Sequence, residues 1–246
     1  MLGWYARRHA GSSIPGVLFF DVLRFITTMF TTLVWRYRAY HGERVPRDGP
    51  VLIVANHQSY LDPIIVGQLV PSRQIDSVAR EGLFRVPGLA QLMRGLHGFP
   101  IREDGEPDSA AIREILARLE RGLAVVIYPE GTRTLDGRMT EFKRGAALVV
   151  KRAKCPVLPV AIEGAHDAWA RGRSRPRFWG ARIMTIAGEP IPHDELLADG
   201  PDAALRRLER EIDAMRLDLR AKLRARTRNA YPPPGPADNP SFDKST

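Results

Sequence analysis

A single cysteine, Cys155, occurs in 246 residues, so no disulfide can form within the chain, which fits a reducing compartment. Placed between Lys154 and Pro156 and ahead of an apolar run, it reads as a small core residue rather than a nucleophile. No His, Cys and carboxylate cluster has metal-ligand spacing, and no Gly-x-Ser-x-Gly elbow occurs. Neither a metal nor a serine acyl-enzyme is therefore expected. Zinc-finger and RNA-recognition signatures are missing, so nucleic acid is not an expected partner. Internal repeats are also missing. Acidic residues are in deficit, with 28 Asp and Glu against 37 Lys and Arg, and the formal net charge is +9. That excess points to an anionic partner such as a membrane surface or a phosphorylated substrate. Hydrophobic residues make up 44%, enough for a folded core.

The most apolar stretch runs from Val17 to Trp35 and is barely long enough to span a bilayer. Asp21, Arg24, Thr28, Thr31 and Thr32 recur in it at steps that place them on one narrow stripe of a helix. Leu18, Phe19, Val22, Phe25, Ile26, Met29, Phe30 and Leu33 take the remaining face, with Arg7, Arg8, Arg36 and Arg38 flanking both ends. This pattern predicts a helix lying in, or entering from one side, a membrane interface, with anionic lipids as partners. The alternative is a buried amphipathic helix of the core. No small-residue cleavage site follows, which argues against a cleaved signal peptide.

From Val51 onward, strand-like runs alternate with helical patterns. Strands are expected at Val51–Ala55, Ile75–Ala79, Gly98–Arg102, Leu123–Tyr128, Val157–Glu163 and Arg182–Gly188. Helices are expected at Asp62–Leu69, Leu89–Arg94, Asp108–Arg121, Lys143–Ala153 and Ala203–Arg226. Alternation of this kind predicts an α/β fold, a mostly parallel sheet flanked by helices. Pro100 marks its strand as an edge. In the last helix Leu205, Leu208, Ile212, Met215 and Leu219 form a packing stripe among arginines. The Pro-, Asp- and Asn-rich stretch from Tyr231 reads as disordered. The expected organisation is a membrane-associating helical segment over 1–40, one catalytic domain over 41–228 and a disordered tail over 229–246.

Chemistry concentrates in Asn56-His57-Gln58-Ser59-Tyr60-Leu61-Asp62, directly after an apolar strand. A strand ending in polar residues delivers them to the carboxyl edge of a sheet, where α/β proteins place their sites. His57 then lies in the strand-to-helix turn, and Asp62 near the helix start can fold back onto the imidazole. A carboxylate on one ring nitrogen fixes the tautomer and makes the other nitrogen a better base. The alternative is a polar turn whose Asp caps a helix.

Three more segments share this punctuation: Gly98-Phe99-Pro100-Ile101-Arg102, Tyr128-Pro129-Glu130-Gly131-Thr132-Arg133 and Val157-Leu158-Pro159-Val160. In order and spacing these four segments resemble the blocks of the glycerolipid acyltransferases, the bacterial 1-acylglycerol-3-phosphate acyltransferases in particular. The resemblance runs from about Gly42 to Pro192. It implies His57 as general base and Asp62 as its orienter. It also implies an acceptor site lined by Arg102, Glu130, Gly131, Thr132 and Arg133, with Glu130 either on the glycerol hydroxyls or holding the arginines. Planar guanidinium forks suit phosphate oxygens. The implied reaction moves a fatty acyl group from acyl-CoA or acyl carrier protein to the free hydroxyl of 1-acylglycerol-3-phosphate. No cofactor takes part, and the enzyme would work on the cytoplasmic face of the cell membrane.

The chain departs from the family where a lysine commonly precedes a Leu-Phe pair. Here Arg80 stands in that place, within Ala79-Arg80-Glu81-Gly82-Leu83-Phe84, as a possible phosphate contact. The acceptor headgroup is thus left open between lysophosphatidic acid, another lysophospholipid and a lyso amino-acid lipid. A thioester hydrolase and a non-catalytic basic membrane protein are the readings from other classes.

Overall fold

The structure, a computed structural model, describes residues 14–70, 73–80, 84–85, 88, 90–91, 97–101 and 109–242. Among them the helices are α1 (Ile14–Trp35), α2 (Asp62–Leu69), α3 (Ser109–Glu120), α4 (Arg144–Arg152), α5 (Ala165–Trp169), α6 (His193–Leu196) and α7 (Pro201–Arg226). The strands are β1 (Arg38–Tyr40), β2 (Val51–Ala55), β3 (Ile75–Arg80), β4 (Gly98–Ile101), β5 (Ala124–Ile127), β6 (Val157–Glu163) and β7 (Met184–Ala187).

These strands form one sheet in the order β1-β7-β6-β2-β5-β3-β4. Every pairing is parallel except β6 with β7. The strand holding Pro100 is at the edge, where a missing N–H is tolerated. β2 and β6 are buried along their whole length, as continuous apolar runs in a covered parallel sheet must be. Period-two alternation divides these strands between two cores. Leu52, Val54, Val125 and Ile127 face one core with α3, α4 and α7, while Ile53, Ala55, Val126 and Leu158 face the other with α2 and Trp35. The expected helix Leu89–Arg94 lies largely outside the described residues.

α1 is amphipathic in an inverted sense. Asp21, Arg24 and Thr28 are half-buried against the protein and Thr31 is buried, its hydroxyl donating to Gln68 Oε1 at 2.8 Å. Thr32, assigned to the same stripe by spacing, is exposed. The apolar side faces outward, with Phe25 at 70% and Leu33 at 72% exposure. Trp35 and Tyr37 are buried in the core, and β1 belongs to the sheet, so residues 35–40 are integral to the domain. Among the described residues no helix is long and apolar enough to cross a membrane.

The expected disorder from Tyr231 does not hold for residues 231–242. This segment lies against α7, with Tyr231 and Ala237 buried. Arg216 donates to the carbonyls of Ala237 and Asn239, and Arg220 to Asp238 and the carbonyl of Pro233. Composition misleads here because the segment's carbonyls are satisfied by side chains from another element, which no local pattern records.

Candidate active site

Because β2 is central and parallel to β5 and β6, the chain leaves all three strands at one edge. Asn56 pins that edge: its amide donates to the carbonyl of Ile162 at 2.9 Å, and its oxygen accepts the Ile162 N–H at 2.7 Å. His57 follows immediately. Its Nδ1 meets Asp62 Oδ2 at 2.7 Å, and the same oxygen accepts the backbone N–H groups of Gln58 at 2.6 Å and Ser59 at 2.8 Å. Asp62 is fully buried at the first turn of α2, and all three of these contacts converge on its Oδ2. With Nδ1 facing a carboxylate, the proton is assigned to Nδ1, and Nε2 carries the free lone pair. The ring stacks on Tyr128 at 4.4 Å, which fixes its plane.

The loop after β5 is laced to this turn. His57 N–H donates to Glu130 Oε1 at 2.7 Å, and the His57 carbonyl accepts Thr134 N–H at 2.9 Å. Glu130 Oε2 takes the N–H and hydroxyl of Thr140. Both carboxylate oxygens are thus committed to protein donors and the residue is buried. Glu130 joins the His57 turn to the loop after β5, and the hydrogen bonds it makes go to His57 and Thr140 rather than to the arginines offered as its partners above. Burial pushes its carboxyl up to about 7, against the opposing pull of the His57 and Thr140 hydrogen bonds.

Gly131 has φ +67°, and a Cβ there would approach Lys143 Cγ to 3.3 Å. Glycine is needed for the turn that presents Thr132 and Arg133. Arg133 is buried with its guanidinium 3.4 Å above the Tyr60 ring, and its Nη1 has no hydrogen-bond partner. A guanidinium with a donor unused inside the protein has the fork geometry that suits a carboxylate or phosphate. Thr132 Oγ1 accepts from Arg171 Nη1 at 2.9 Å. β3 and β4 run parallel to β5, so both strands end at this same edge. Arg102 and the Arg80 side chain lie outside what the structure describes. Cys155 is buried, and burial pushes its thiol up to about 11, so it is not a thiolate at neutral pH.

Sequence reading did not assign Tyr60 and Tyr128, although both stand inside the two diagnostic segments. It also missed the line running backward from Gln58. Gln58 Nε2 donates to Glu163 Oε2 at 3.0 Å, and Glu163 Oε1 accepts from Arg220 Nη1 at 2.6 Å. This line and the segment 233–237 together border a cavity of about 140 Å³.

The edge so assembled brings a histidine paired to a buried carboxylate close to a buried guanidinium. Which chemistry it serves follows from comparison. The model of the acyltransferase family matches residues 37–163, and the chain belongs to that family. It is 26% identical over 189 residues to the 1-acyl-sn-glycerol-3-phosphate acyltransferase of Bacillus subtilis, covering 72% of this chain and 90% of the relative. It is 32% identical over 155 residues to the enzyme of that name from Limnanthes douglasii, 61% of this chain and 53% of the relative. The bovine alpha form is 28% identical over 168 residues, of which this chain spans 58% of the length. Among solved structures, the 1-acyl-sn-glycerophosphate acyltransferase of Thermotoga maritima superposes with a TM-score of 0.69 at 25% identity, covering 83% of this chain and 80% of that one.

Proposed function

We propose that this acyltransferase moves a fatty acyl group from the thioester of acyl-CoA or acyl carrier protein to the free hydroxyl of 1-acylglycerol-3-phosphate, giving phosphatidic acid. His57 Nε2 removes the proton of the acceptor hydroxyl as its oxygen attacks the thioester carbonyl. Asp62, already accepting from Nδ1, stabilises the imidazolium that results. The tetrahedral adduct collapses by breaking its C–S bond, and the departing thiolate takes the proton back from His57. No enzyme nucleophile is required, in keeping with the absence of a serine elbow. Arg133 receives the acceptor's phosphate, and its unpartnered Nη1 beside the His57 turn is the observation that carries the assignment.

The acceptor is a lipid, and α1 offers an outward apolar face with which a membrane can be met from one side. This supports a peripheral or monotopic association with a membrane, and the cytoplasmic face of the cell membrane is part of the proposal. The test is to incubate the purified protein with labelled acyl-CoA and a panel of lyso-acceptors, reading lipids by mass spectrometry. Phosphatidic acid should dominate. Preferential acylation of another lysolipid would reassign the acceptor, and free fatty acid as the main product would make the enzyme a hydrolase.

A further inference from the structure

In the segment between α5 and β7 the sole link to the site given above is Arg171, through Thr132. Between Asp167 and Glu189 the sequence has no acidic residue, yet it contains Arg171, Arg173, Arg175 and Arg177, followed by Phe178 and Trp179. All six side chains are exposed, and Trp179 is 80% exposed, the most of any large hydrophobic residue among those described. A large indole left in water amid unopposed cations calls for a partner that is apolar and anionic together.

The loop is held, not loose. Trp35 Nε1 donates to the carbonyl of Arg177 at 2.7 Å, Trp169 Nε1 to the carbonyl of Arg173 at 3.0 Å, and Arg177 N–H to the carbonyl of Ala168 at 2.7 Å. The Phe178 ring stacks on Trp35 at 6.5 Å and meets Phe30 edge-on at 6.4 Å. Phe30 belongs to the outward apolar face of α1, so the aromatic tip of the loop continues that face. At the other end Arg171 reaches the acceptor loop through Thr132. The segment therefore bridges the apolar helix and the catalytic edge.

We propose that residues 171–179 form a second membrane anchor, which lays Phe178 and Trp179 into the interface of an anionic bilayer and sets its arginines on lipid phosphates. Trp and Tyr favour this depth because one part of the ring is apolar and one part is a donor. Each cation near an anionic surface is worth about 1 kcal/mol, which is roughly fivefold in affinity. The anchor adds to the proposed role of α1 and turns the mouth beside Thr132 toward the lipid that the reaction consumes. Of the anionic macromolecules that an arginine-rich loop attracts, a bilayer is favoured by the continuity of Phe178 with Phe30 on α1, since a polyanion in solution makes no use of an exposed Trp beside an outward apolar helix face.

The experiment compares the full-length wild type, Arg173→Ala/Arg175→Ala and Trp179→Phe. Co-sedimentation is measured with vesicles of phosphatidylcholine alone and with added phosphatidylglycerol. The double variant should bind the anionic vesicles roughly twentyfold more weakly and lose much of the salt dependence. Wild-type tryptophan emission should shift to the blue on binding, and that shift should shrink in Trp179→Phe. Acylation of lysophosphatidic acid dispersed in detergent should be unchanged in both variants, because neither touches the His57 site. Should the acceptor assignment itself be wrong, the detergent assay fails in the wild type while the vesicle comparison stays readable. Equal sedimentation of variant and wild type would overturn the inference, as would a loss confined to binding of heparin or single-stranded RNA.

Discussion

The backbone N–H of His57 donates to Oε1 of Glu130 at 2.7 Å, so the catalytic turn hangs from a buried carboxylate on the neighbouring strand's loop. This bond connects the two segments that carry the chemistry. Each end of the carboxylate serves a different partner, with Thr140 on Oε2, so Glu130 ties the His57 turn to the stretch around Thr140.

Replacement of His57 by Ala should lower acyl transfer by about 10² to 10⁴, the usual range for a general base, while leaving the circular dichroism spectrum unchanged. Asp62→Asn should also lose activity, since the tautomer and tilt of the ring are no longer imposed. A His57→Ala enzyme retaining more than about a tenth of wild-type turnover would contradict the mechanism.

Arg133→Ala should weaken the phosphorylated acceptor by roughly ten- to a hundredfold, as expected for a charged hydrogen bond worth about 1.5–3 kcal/mol. The KM for acyl-CoA should move little. Arg133→Lys should restore only part of the loss, because the stacking of a flat guanidinium on Tyr60 is not reproduced by an ammonium. Steady-state kinetics against both substrates checks this, and unchanged acceptor kinetics in Arg133→Ala would sink it.

Glu130 makes stability depend on pH in a definite direction. Its carboxyl lies near 7 in the folded chain against 4.5 ordinarily. The folded state thus keeps the proton to higher pH, and this contribution is complete below about 4.5 and lost as pH rises through about 7. Urea unfolding of wild type and Glu130→Gln should show the wild type losing roughly 2 kcal/mol relative to the variant between pH 5 and pH 8. A relative gain over that range would reverse the assignment.

Arg216 is fully buried and holds Asp213 at 2.7 Å together with the carbonyls of Ala237 and Asn239. Arg216→Met leaves a buried carboxylate without its cation and frees the terminal segment. The cost should be about 3–5 kcal/mol, a fall in Tm of roughly 6–20 °C for a chain of this size. Limited proteolysis should then cut within residues 231–242. A Tm within a degree or two of wild type would show that segment to be a passive cover.

On α1, Phe25→Gln/Leu33→Gln changes two outward side chains that touch little of the protein. Burial of each in an apolar medium is worth about 1.5–3 kcal/mol, so vesicle affinity should fall roughly a hundredfold or more while detergent activity persists. Deleting the whole segment through residue 38 is a poorer test, because Trp35 and Tyr37 are core residues. Aggregation of the double variant would instead mean that this face packs on protein.

Much of the architecture could be read from local pattern. β2, α2 and β6 were delimited by apolar runs between polar punctuation, and their placement follows because a parallel strand needs burial on both faces. The His57–Asp62 pair was legible too, since five residues across a strand-to-helix turn leave one geometry in which the two side chains meet. On α1 the stripe of polar residues was visible from spacing, but that it turns toward the protein was not, and Thr32, assigned to it, is exposed.

What the sequence by itself determined is therefore whatever is encoded within one element or one turn: the strands, the helices, the pairing of His57 with Asp62, and the excess of cations. Only the tertiary structure decided the rest. It bonded Glu130 to the backbone of His57, stacked Arg133 on Tyr60, lodged Glu163 between Gln58 and Arg220, and seated residues 231–242 on α7. The reason is physical. Each of these contacts joins residues brought together by the sheet order, and a buried polar atom takes whichever donor or acceptor packing delivers to it, at any distance along the chain.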